Sequence, residues 1–543
     1  MSAVPEIEFL ATGRVGRFEN AKELNVLKAK YLAASAIAAL FSSTVVVLAN
    51  DVVIMGGRVI DPETGLDAIR NVAIEGDKIV AISEFPLEGD VVIDATGHVV
   101  SPGFIDLHHH GQNIGDYRMQ VIQGVTTGLE LESGLLPIGD WYETQATKNL
   151  PMNYGAAAGW TYSRIATFSD TDPLATAAYF QDAQIRNDWK MDIADADQSE
   201  HILSLLEEGL KEGALGIGIN AGYAPGYGQK EYFALAELAK EYNVPTFTHV
   251  RYASNTEPQS SFEAVKELIG NAAITGAHMH LCHINSTSLS DIHATLALIE
   301  EAQAQGISVT TEAYPYGAAN TVVGAAMFSG PDWRERMDST ANNFQLGADR
   351  MSEEELADYQ ANKPGTFITW HFLDENNPEN LALLDASVTH PSVLIASDSV
   401  FWSYFDEDGN VKFYEGDEWP LPEKVFGHPR STGSYTKILR SYVRERGLLS
   451  LSEAIRKMSL MPAQTLEESV PQMRNKGRIQ VGMDADIVVF DPLTVADLAT
   501  FANANQLTLG VQTVLVNGGF AVRDGELVLD APYGRPIRNT VTK

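Results

Sequence analysis

The chain has 543 residues, 45% of them apolar, which is enough for one large α/β domain with a small companion or for several modest domains. Acidic side chains outnumber basic ones by 72 to 38, giving a formal charge of −34. A surface of this sign repels phosphate backbones and anionic membranes, which argues against a nucleic-acid partner. The single cysteine, Cys282, excludes a disulfide framework and a cysteine-based zinc site.

Residues 1–49 form a predicted signal-peptide region. Two lysines, an apolar run and then Val47-Leu-Ala49 follow one another here, in the order that a cleaved secretory signal has. The pattern predicts cleavage after Ala49 and an exported protein, in the bacterial periplasm or secreted. Because a polar stretch precedes the lysines, we expect that translation starts near Val26 or Leu27. An uncleaved anchor, and with it a stable membrane partner, is the alternative.

Strand-rich segments bracket the rest of the chain, over residues 50–100 and 480–543. Both carry short β-branched runs separated by Gly and Asp turns, which is typical of strands. The predicted strands cover residues 51–60, 72–82, 91–94, 485–490, 511–518 and 526–529. We therefore expect one small β-sandwich built from both ends of the mature chain.

Residues 101–479 alternate predicted helices and strands. The helices cover residues 202–210, 235–242, 262–271 and 289–304, and a predicted strand follows each of them. This alternation predicts a parallel sheet with right-handed crossovers, and polar residues at several strand ends favour a (β/α)8 TIM barrel. Two segments, 325–365 and 401–427, interrupt the rhythm. We interpret them either as lids over the active face or as plain surface insertions.

The most informative motif is His108-His-His110, which follows the apolar run Phe104-Ile105. Residues two apart on a strand point to the same side, so His108 and His110 can reach one metal ion while His109 faces away. The motif is internal and follows Pro-Gly, which argues against an artificial tag. It therefore predicts a pair of metal ligands at the end of the first barrel strand.

Further side chains of ligand type stand at the ends of later predicted strands. They are Glu130, Glu132, His249, His283 and Asp398. Imidazoles and carboxylates suit Zn²⁺ and similar divalent ions, and four imidazoles with a bridging carboxylate can hold two metals. Such ions lower the pKa of bound water to roughly 7, and a neighbouring aspartate can accept its proton. The sequence thus predicts a hydrolytic metal centre.

Over residues 51–538 the chain resembles the amidohydrolase superfamily, and within it the N-acyl-D-amino-acid deacylases, or D-aminoacylases. The segment Leu129-Glu-Leu-Glu-Ser133 looks most like the D-glutamate deacylase branch. Beyond the histidine motif, the resemblance is carried by Gly124-Val-Thr-Thr127, Gly213-Ala-Leu-Gly216, His249-Val-Arg251, Tyr314-Pro-Tyr316, Ser397-Asp398, His428-Pro-Arg430, Gly477-Arg-Ile479 and Ala485-Asp486.

The resemblance implies a role for each candidate residue. His108 and His110 would hold one divalent metal, His249 and His283 a second, with Zn²⁺ expected, and Asp398 would be the general base and acid. The family's usual cysteine ligand is replaced by Ser133, a poor zinc ligand. We therefore assign the bridge between the metals to Glu132, with Glu130 as the alternative.

Substrate binding is assigned to four further residues. Arg430 can hold a carboxylate through two parallel hydrogen bonds. Arg251 and Arg164 are predicted either to hold a second carboxylate or to form structural ion pairs. Tyr316 is predicted to hydrogen-bond the substrate, whereas Tyr314 is predicted to pack.

The expected reaction is hydrolysis of a small-molecule N-acyl-D-amino acid, with N-acyl-D-glutamate favoured, by a metal-bound hydroxide and Asp398. Two alternatives within the superfamily are a dipeptidase and a cyclic-amide hydrolase. A non-catalytic scaffold with this fold is the alternative from another class, and the intact set of histidines and Asp398 argues against it.

Overall fold

Strands of the computed structural model, which describes residues 50–540, fall into one large mixed sheet, one parallel barrel and two small sheets. The strands are β1 (Asn50–Asp61), β2 (Leu66–Glu75), β3 (Lys78–Ser83), β4 (Gly89–Asp94), β5 (Val99–Pro102), β6 (Phe104–Asp106), β7 (Val125–Leu135), β8 (Asn153–Gly159), β9 (Ile217–Asn220), β10 (Thr246–His249), β11 (Met279–Leu281), β12 (Val309–Ala313), β13 (Ala318–Val322), β14 (Phe344–Leu346), β15 (Asp349–Arg350), β16 (Phe367–His371), β17 (Val393–Ile395), β18 (Ser403–Phe405), β19 (Val411–Phe413), β20 (Ile487–Phe490), β21 (Val511–Val516), β22 (Gly519–Arg523) and β23 (Glu526–Leu527).

Helices occupy most of the connections between the barrel strands. They are α1 (Ile114–Val121), α2 (Ile138–Ala146), α3 (Trp160–Ser169), α4 (Ala177–Ala183), α5 (Asp188–Met191), α6 (Ala196–Lys211), α7 (Gln229–Glu241), α8 (Ser261–Thr275), α9 (Ile284–Ser288), α10 (Ile292–Ala304), α11 (Trp333–Arg336), α12 (Glu353–Asn362), α13 (Pro378–Thr389), α14 (Arg430–Lys437), α15 (Leu451–Ile455) and α16 (Met461–Leu466). The chain also forms π-helical turns at Ile438–Glu445 and Arg456–Leu460.

The two ends of the described range join in one sheet, in the order β23-β22-β21-β20-β5-β1-β2-β3, with β4 beside β1. The junction is the antiparallel pair of β5 and β20, where Val99 lies opposite Phe490. The predicted strand segment 72–82 contains the end of β2 and most of β3, which are separated by a turn at Gly76 (φ 58°). Apolar side chains of both ends share one core cluster, including Ile54, Ile487 and Leu515.

Eight parallel strands of the described range, β6 to β12 and β17, form the barrel. It closes between the strand ends that follow β6 and β17. There the Ser399 N–H donates to the His108 carbonyl at 3.2 Å, and the His110 N–H donates to the Ser399 carbonyl at 3.0 Å. The helices pack their apolar stripes on the outside, as Ile202, Leu206 and Leu210 of α6 show. The predicted fold class, a (β/α)8 barrel with a β domain from both ends, is confirmed.

Segments outside the barrel rhythm form small sheets of their own. Strands β13, β16, β14 and β15 pair in that order, over an apolar cluster that contains Phe328, Trp333 and Phe344. A hairpin of β18 and β19 follows later. Among residues 50–540, no helix is long and apolar enough to cross a bilayer. The predicted signal-peptide region, residues 1–49, lies outside the described residues.

Candidate metal centre

His108 and His110 meet directly at the mouth of the barrel. Their Nε2 atoms lie 3.0 Å apart, and both rings are buried or nearly so. Both histidines follow β6, whose end is fixed because the Asp106 carboxylate accepts the backbone N–H groups of His108 and Ser397. The tight, buried strand end thus aims two imidazole nitrogens at one point.

Glu132 lies between two pairs of imidazoles. One carboxylate oxygen is 2.7 Å from His283 Nε2 and 3.1 Å from His249 Nδ1. The other oxygen is 3.3 Å from His108 Nε2 and 3.5 Å from His110 Nε2. Although burial opposes ionisation, His108 and His283 hold the pKa of Glu132 well below its ordinary value. One oxygen for each pair is the arrangement that a bridging carboxylate requires.

The donor set fits divalent metal ions. His108, His110 and Glu132 form one group whose ligand atoms all lie within 4.8 Å of one another, and Glu132, His249 and His283 form a second. Imidazole nitrogen and carboxylate oxygen are ligands that Zn²⁺ accepts. Buried imidazoles packed this closely around a carboxylate would be costly without a cation to share. The residues that the sequence assigned to metal binding are therefore brought together.

Glu130 and Ser133, the neighbours of Glu132 on β7, have other partners. The Glu130 carboxylate lies 2.8 Å from His110 Nδ1, the ring nitrogen that faces away from Glu132. The Ser133 hydroxyl accepts a hydrogen bond from Asn220 Nδ2 at 2.8 Å. Glu130 is thus placed to orient His110 rather than to bridge two metals.

Asp398 is a second carboxylate close to the His108–His110 pair. Its Oδ1 lies 3.4 Å from His108 Nε2, 3.5 Å from His110 Nε2 and 2.8 Å from Arg430 Nη2. Burial opposes ionisation, but the Arg430 guanidinium and His108 hold the pKa of Asp398 below its ordinary value. An ionised carboxylate at this point can accept a proton from a water held between it and the centre.

The backbone of Asp398 has a left-handed conformation (φ 51°), which its neighbours enforce. The Ser397 hydroxyl donates to the Asp106 carboxylate. The Ser399 hydroxyl lies 2.7 Å from His109 Nδ1. His109 faces away from the metals, as the strand alternation predicts, and its contact with Ser399 helps to hold the loop that carries Asp398.

Arg430 is completely buried at the start of α14, beside the centre. Its Nη2 reaches Asp398, and its guanidinium carbon lies 4.9 Å from the ring centre of Tyr314. Within residues 50–540, its Nε and Nη1 have no hydrogen-bond partner. Buried N–H groups without partners are costly, which points to an acceptor supplied by a ligand.

The structure places Tyr316 away from the imidazole cluster and packs the ring of Tyr314 against Arg430. The Tyr316 hydroxyl donates to the Pro429 carbonyl at 3.4 Å, and its ring packs against His428 and Lys437, away from the metals. Tyr314 directly follows β12, and its buried hydroxyl lacks a partner within the described range. The chain bends at Pro315, so the side-to-side alternation of the strand does not continue to Tyr316.

Of the two alternatives for Arg164, the structure shows the contacts of a structural ion pair. Its Nη1 donates to both carboxylate oxygens of Glu231, at 2.8 and 2.7 Å, and its remaining groups donate to the carbonyls of Trp189 and Asp192. Strand β8 ends at Gly159, so Arg164 lies inside α3 and not at a strand end. The alternative interpretation, a structural ion pair, describes it.

Arg164→Gln is therefore expected to reduce stability and not activity. It leaves the Glu231 carboxylate buried without its partner, which costs about 3–5 kcal/mol of unfolding free energy. Urea unfolding measures this loss, and kcat/KM of the folded variant should stay within about twofold. The control Lys211→Gln removes an exposed pair with Glu207, which solvent screens, and should leave stability nearly unchanged. A raised KM of Arg164→Gln at unchanged stability would show that Arg164 binds substrate.

Arg251 divides its contacts between structure and a cavity. Its Nη2 donates to Glu267 at 2.9 Å and its guanidinium lies 3.6 Å from the ring centre of Tyr227. Its Nε is buried without a partner among residues 50–540. Arg251, His249 and Met327 line an outer cavity of ≈ 250 Å³, which we call the vestibule.

A smaller cavity of ≈ 50 Å³ lies directly over the metal centre. Five of the candidate residues line it, namely His110, Glu132, His249, His283 and Asp398. Its other walls are largely apolar, and Met327, Phe367 and Trp370 reach it from the segment that holds the small sheet of β13 to β16. The vestibule shares His249 and Met327 with it, so the two cavities adjoin.

Two residues that the sequence did not assign lie below the centre. Glu312 contacts His108 Nδ1, and its other oxygen lies 3.1 Å from His280 Nε2. A signal was available, because a glutamate inside the predicted buried strand over 307–312 requires a polar partner. The partner itself is separated by 204 positions in sequence, so only the fold identifies it.

Comparison with known proteins gives matches over most of the chain. The model of the amidohydrolase family, Amidohydro_3, matches residues 91–387 and 407–522. An N-acyl-D-glutamate deacylase of Alcaligenes xylosoxydans xylosoxydans is 27% identical over 86% of this chain and 93% of its own length. A D-aminoacylase of the same organism is 26% identical over 86% of this chain and 93% of its own length.

Solved structures agree with the fold. A crystal structure of D-aminoacylase has a TM-score of 0.71 and 22% identity, over 90% of this chain and 100% of the other. An N-acyl-D-glutamate deacylase of Bordetella bronchiseptica, complexed with zinc and a phosphonate inhibitor, has a TM-score of 0.68 and 23% identity, over 90% of this chain and 100% of that one.

Proposed function

Because the chain belongs to the amidohydrolase family, we propose that it hydrolyses the amide bond of N-acyl-D-amino acids, releasing a carboxylate and a free D-amino acid. The observation that carries the proposal is the convergence of four imidazoles on Glu132, with Asp398 facing them. The curated relatives that share most of their length with this chain are named for this reaction.

Each residue then has a chemical task. His108, His110, Glu132, His249 and His283 would hold one or two divalent ions, for which we propose Zn²⁺. When bound, such ions supply Lewis acidity, which lowers the pKa of water and polarises a carbonyl group. Asp398 would take the proton of the attacking water and deliver it to the nitrogen of the departing amine.

Arg430 would bind the substrate carboxylate, since its Nε and Nη1 are buried and without partners in the described range. Nη2 is already bonded to Asp398, so the substrate carboxylate would accept a charge-assisted hydrogen bond from Nε or from Nη1, which lie on different edges of the guanidinium. The Tyr314 ring packs against the same guanidinium, and its buried hydroxyl has no partner in the described range.

The favoured substrate is N-acyl-D-glutamate, and a second class is N-acyl-D-amino acids with apolar side chains. The relative named for D-glutamate and the Arg251 guanidinium in the vestibule support the first. The walls formed by Met327, Phe367 and Trp370 favour the second.

Turnover of a defined substrate panel tests the proposal. It contains N-acetyl-D-glutamate, N-acetyl-L-glutamate, N-acetyl-D-leucine, dipeptides and hydantoins, each with metal-loaded and chelator-treated protein. Hydrolysis of the N-acetyl-D-amino acids that is lost on chelation and regained with Zn²⁺ supports it. Activity confined to dipeptides or to hydantoins would instead identify a dipeptidase or a cyclic-amide hydrolase.

Arg251→Met separates the two substrate classes. If the vestibule holds the side-chain carboxylate, KM for N-acetyl-D-glutamate should rise about 10- to 100-fold, as the loss of a charged hydrogen bond predicts. KM for N-acetyl-D-leucine should stay within about twofold, and Arg251→Lys should retain part of the discrimination. Equal effects on both substrates would assign Arg251 to its pair with Glu267 alone.

We also propose that the protein is exported to the periplasm or secreted, after cleavage behind Ala49. The support is the order of lysines, apolar run and Val47-Leu-Ala49 in the sequence. N-terminal sequencing of protein recovered from the periplasm and medium tests it. A chain that keeps Ser2 as its first residue would contradict it.

A further inference from the structure

A column of hydrogen-bonded side chains runs from the metal centre down the inside of the barrel. Glu312 Oε1 contacts His108 Nδ1, and Glu312 Oε2 lies 3.1 Å from His280 Nε2. The Thr310 hydroxyl lies 2.8 Å from His280 Nδ1 and 2.8 Å from His278 Nε2. Glu312 is 1% exposed and His280 is fully buried. The column therefore belongs to the barrel interior.

Strand periodicity builds this column. Thr310 and Glu312 are two apart in β12, so both point to the same side, and His278 and His280 are related in the same way along β11 and the residue before it. β11 and β12 are parallel neighbours, and His280 lies opposite Thr310 in their register. The lower end opens on a cavity of ≈ 460 Å³ that His278 and Thr310 line.

The hydrogen bonds of the column run in one direction. A carboxylate accepts hydrogen bonds and donates none, so His108 Nδ1 and His280 Nε2 must both donate to Glu312. His280 then has a free lone pair on Nδ1, which accepts the Thr310 hydroxyl, and the hydroxyl oxygen accepts the N–H of His278. This assignment satisfies every buried polar group of the column.

We propose that Glu312 and His280 are positioning residues of the metal centre. Glu312 fixes His108 in the tautomer that carries its proton on Nδ1, so that the Nε2 lone pair points at His110 and Glu132. His280, backed by Thr310 and His278, holds Glu312 in place. The inference rests on the proposed metal-dependent function, since it assigns these residues to the assembly of that same site.

The column reaches one half of the centre only. The ring nitrogen of His283 that faces away from Glu132 contacts the Ser286 hydroxyl at 3.0 Å and has no carboxylate partner among the described contacts. Loss of Glu312 should therefore weaken the ion held by His108 and His110 and leave the ion held by His249 and His283.

Glu312→Gln tests this without relying on turnover. A glutamine presents one oxygen and one NH₂ group, so it cannot accept from both imidazoles, and one of them must change tautomer or lose its bond. We expect the Zn²⁺ affinity of the site formed by His108 and His110, measured by competition with a chromogenic chelator, to fall about 10- to 100-fold. Metal analysis at limiting Zn²⁺ should then approach one ion per chain.

Glu231→Gln is the matched control, because it also removes a buried paired carboxylate but lies outside the centre. It should lower stability and leave both Zn²⁺ affinities unchanged. Equal Zn²⁺ affinities in Glu312→Gln and the wild type would overturn the proposal. Equal losses of Zn²⁺ affinity in Glu312→Gln and Glu231→Gln would also overturn the proposal, because general destabilisation would then explain the effect.

A measurement on the wild-type protein covers the case in which Glu312→Gln does not fold. Zinc-loaded protein labelled with ¹⁵N-histidine, with the His108 signals identified by absence in His108→Asn, should show Nδ1 protonated and Nε2 bound to metal. Metal on Nδ1 of His108 would overturn the proposal. Zinc-loaded protein with this tautomer and no hydrolysis of any panel substrate would instead count against the proposed function alone.

Discussion

Asp398→Asn is expected to lower kcat/KM by about 10²- to 10⁴-fold, the range that a general acid–base residue contributes. The substitution keeps the shape of the side chain and its contact with Arg430 Nη2, but an amide cannot accept a proton at neutral pH. Within residues 50–540, the neighbouring carboxylates do not replace it, because Glu132 is occupied between the two imidazole pairs and Glu130 contacts the other ring nitrogen of His110. Initial rates with the preferred substrate of the panel measure the loss.

Metal content and circular dichroism separate this loss from unfolding. Both should match the wild type, because the four imidazoles and Glu132 still supply the two groups of metal ligands in Asp398→Asn. Asp408→Asn, in an exposed turn of the β18–β19 hairpin, removes the same charge and should leave kcat/KM within about twofold. Unchanged turnover in Asp398→Asn would exclude the proposed role of this carboxylate.

The metal-centre residues were predictable because barrel topology determines where the strand ends lie. Parallel strands end at the same face, so residues at strand ends that are far apart in sequence must converge. His108 and His249 were found in this way, whereas Glu132 was assigned as the bridge because Ser133, a poor zinc ligand, stands where the family has a cysteine. What the sequence lacked was the identity of each orienting partner. Glu130 was the alternative bridge in the sequence analysis. The structure shows that it contacts His110 Nδ1, the ring nitrogen that faces away from Glu132.

The displacement of Arg164 and Tyr316 from the expected substrate site has a common physical cause. Both assignments extended a strand's geometry beyond the point where the strand ends, at Gly159 for β8 and at Ala313 for β12. Beyond these ends, helix α3 carries Arg164 to the outside of the barrel and a bend at Pro315 turns Tyr316 away. Element boundaries depend on tertiary contacts, which a single sequence does not contain.

Short β-branched runs between Gly and Asp turns in both segments, 50–100 and 480–543, predicted that these segments share one β domain. The sheet of β13 to β16 was not predicted. Its strands β14 and β15 span only Phe344–Leu346 and Asp349–Arg350, too short for an alternating pattern to register. Its stability comes from side chains that meet only in the fold, such as the edge-to-face rings of Phe328 and Phe344. The aromatic residues that this segment sends to the pocket were missed for the same reason.

Glu132→Gln is expected to remove both metal ions at ordinary metal concentrations and to lower kcat/KM by about 10³-fold or more, since Lewis-acid stabilisation is worth several kcal/mol. The cause is that each carboxylate oxygen contacts one imidazole pair, and an amide offers one acceptor oxygen and no charge.

The control that decides which glutamate bridges the two metals is Glu130→Gln, two residues away on the same strand. That variant should lose only the orientation of His110, so its metal affinity should fall about 10- to 100-fold and excess Zn²⁺ should restore its turnover. Metal analysis with activity at rising Zn²⁺ measures both variants, and two retained ions in Glu132→Gln with loss in Glu130→Gln would transfer the bridge to Glu130.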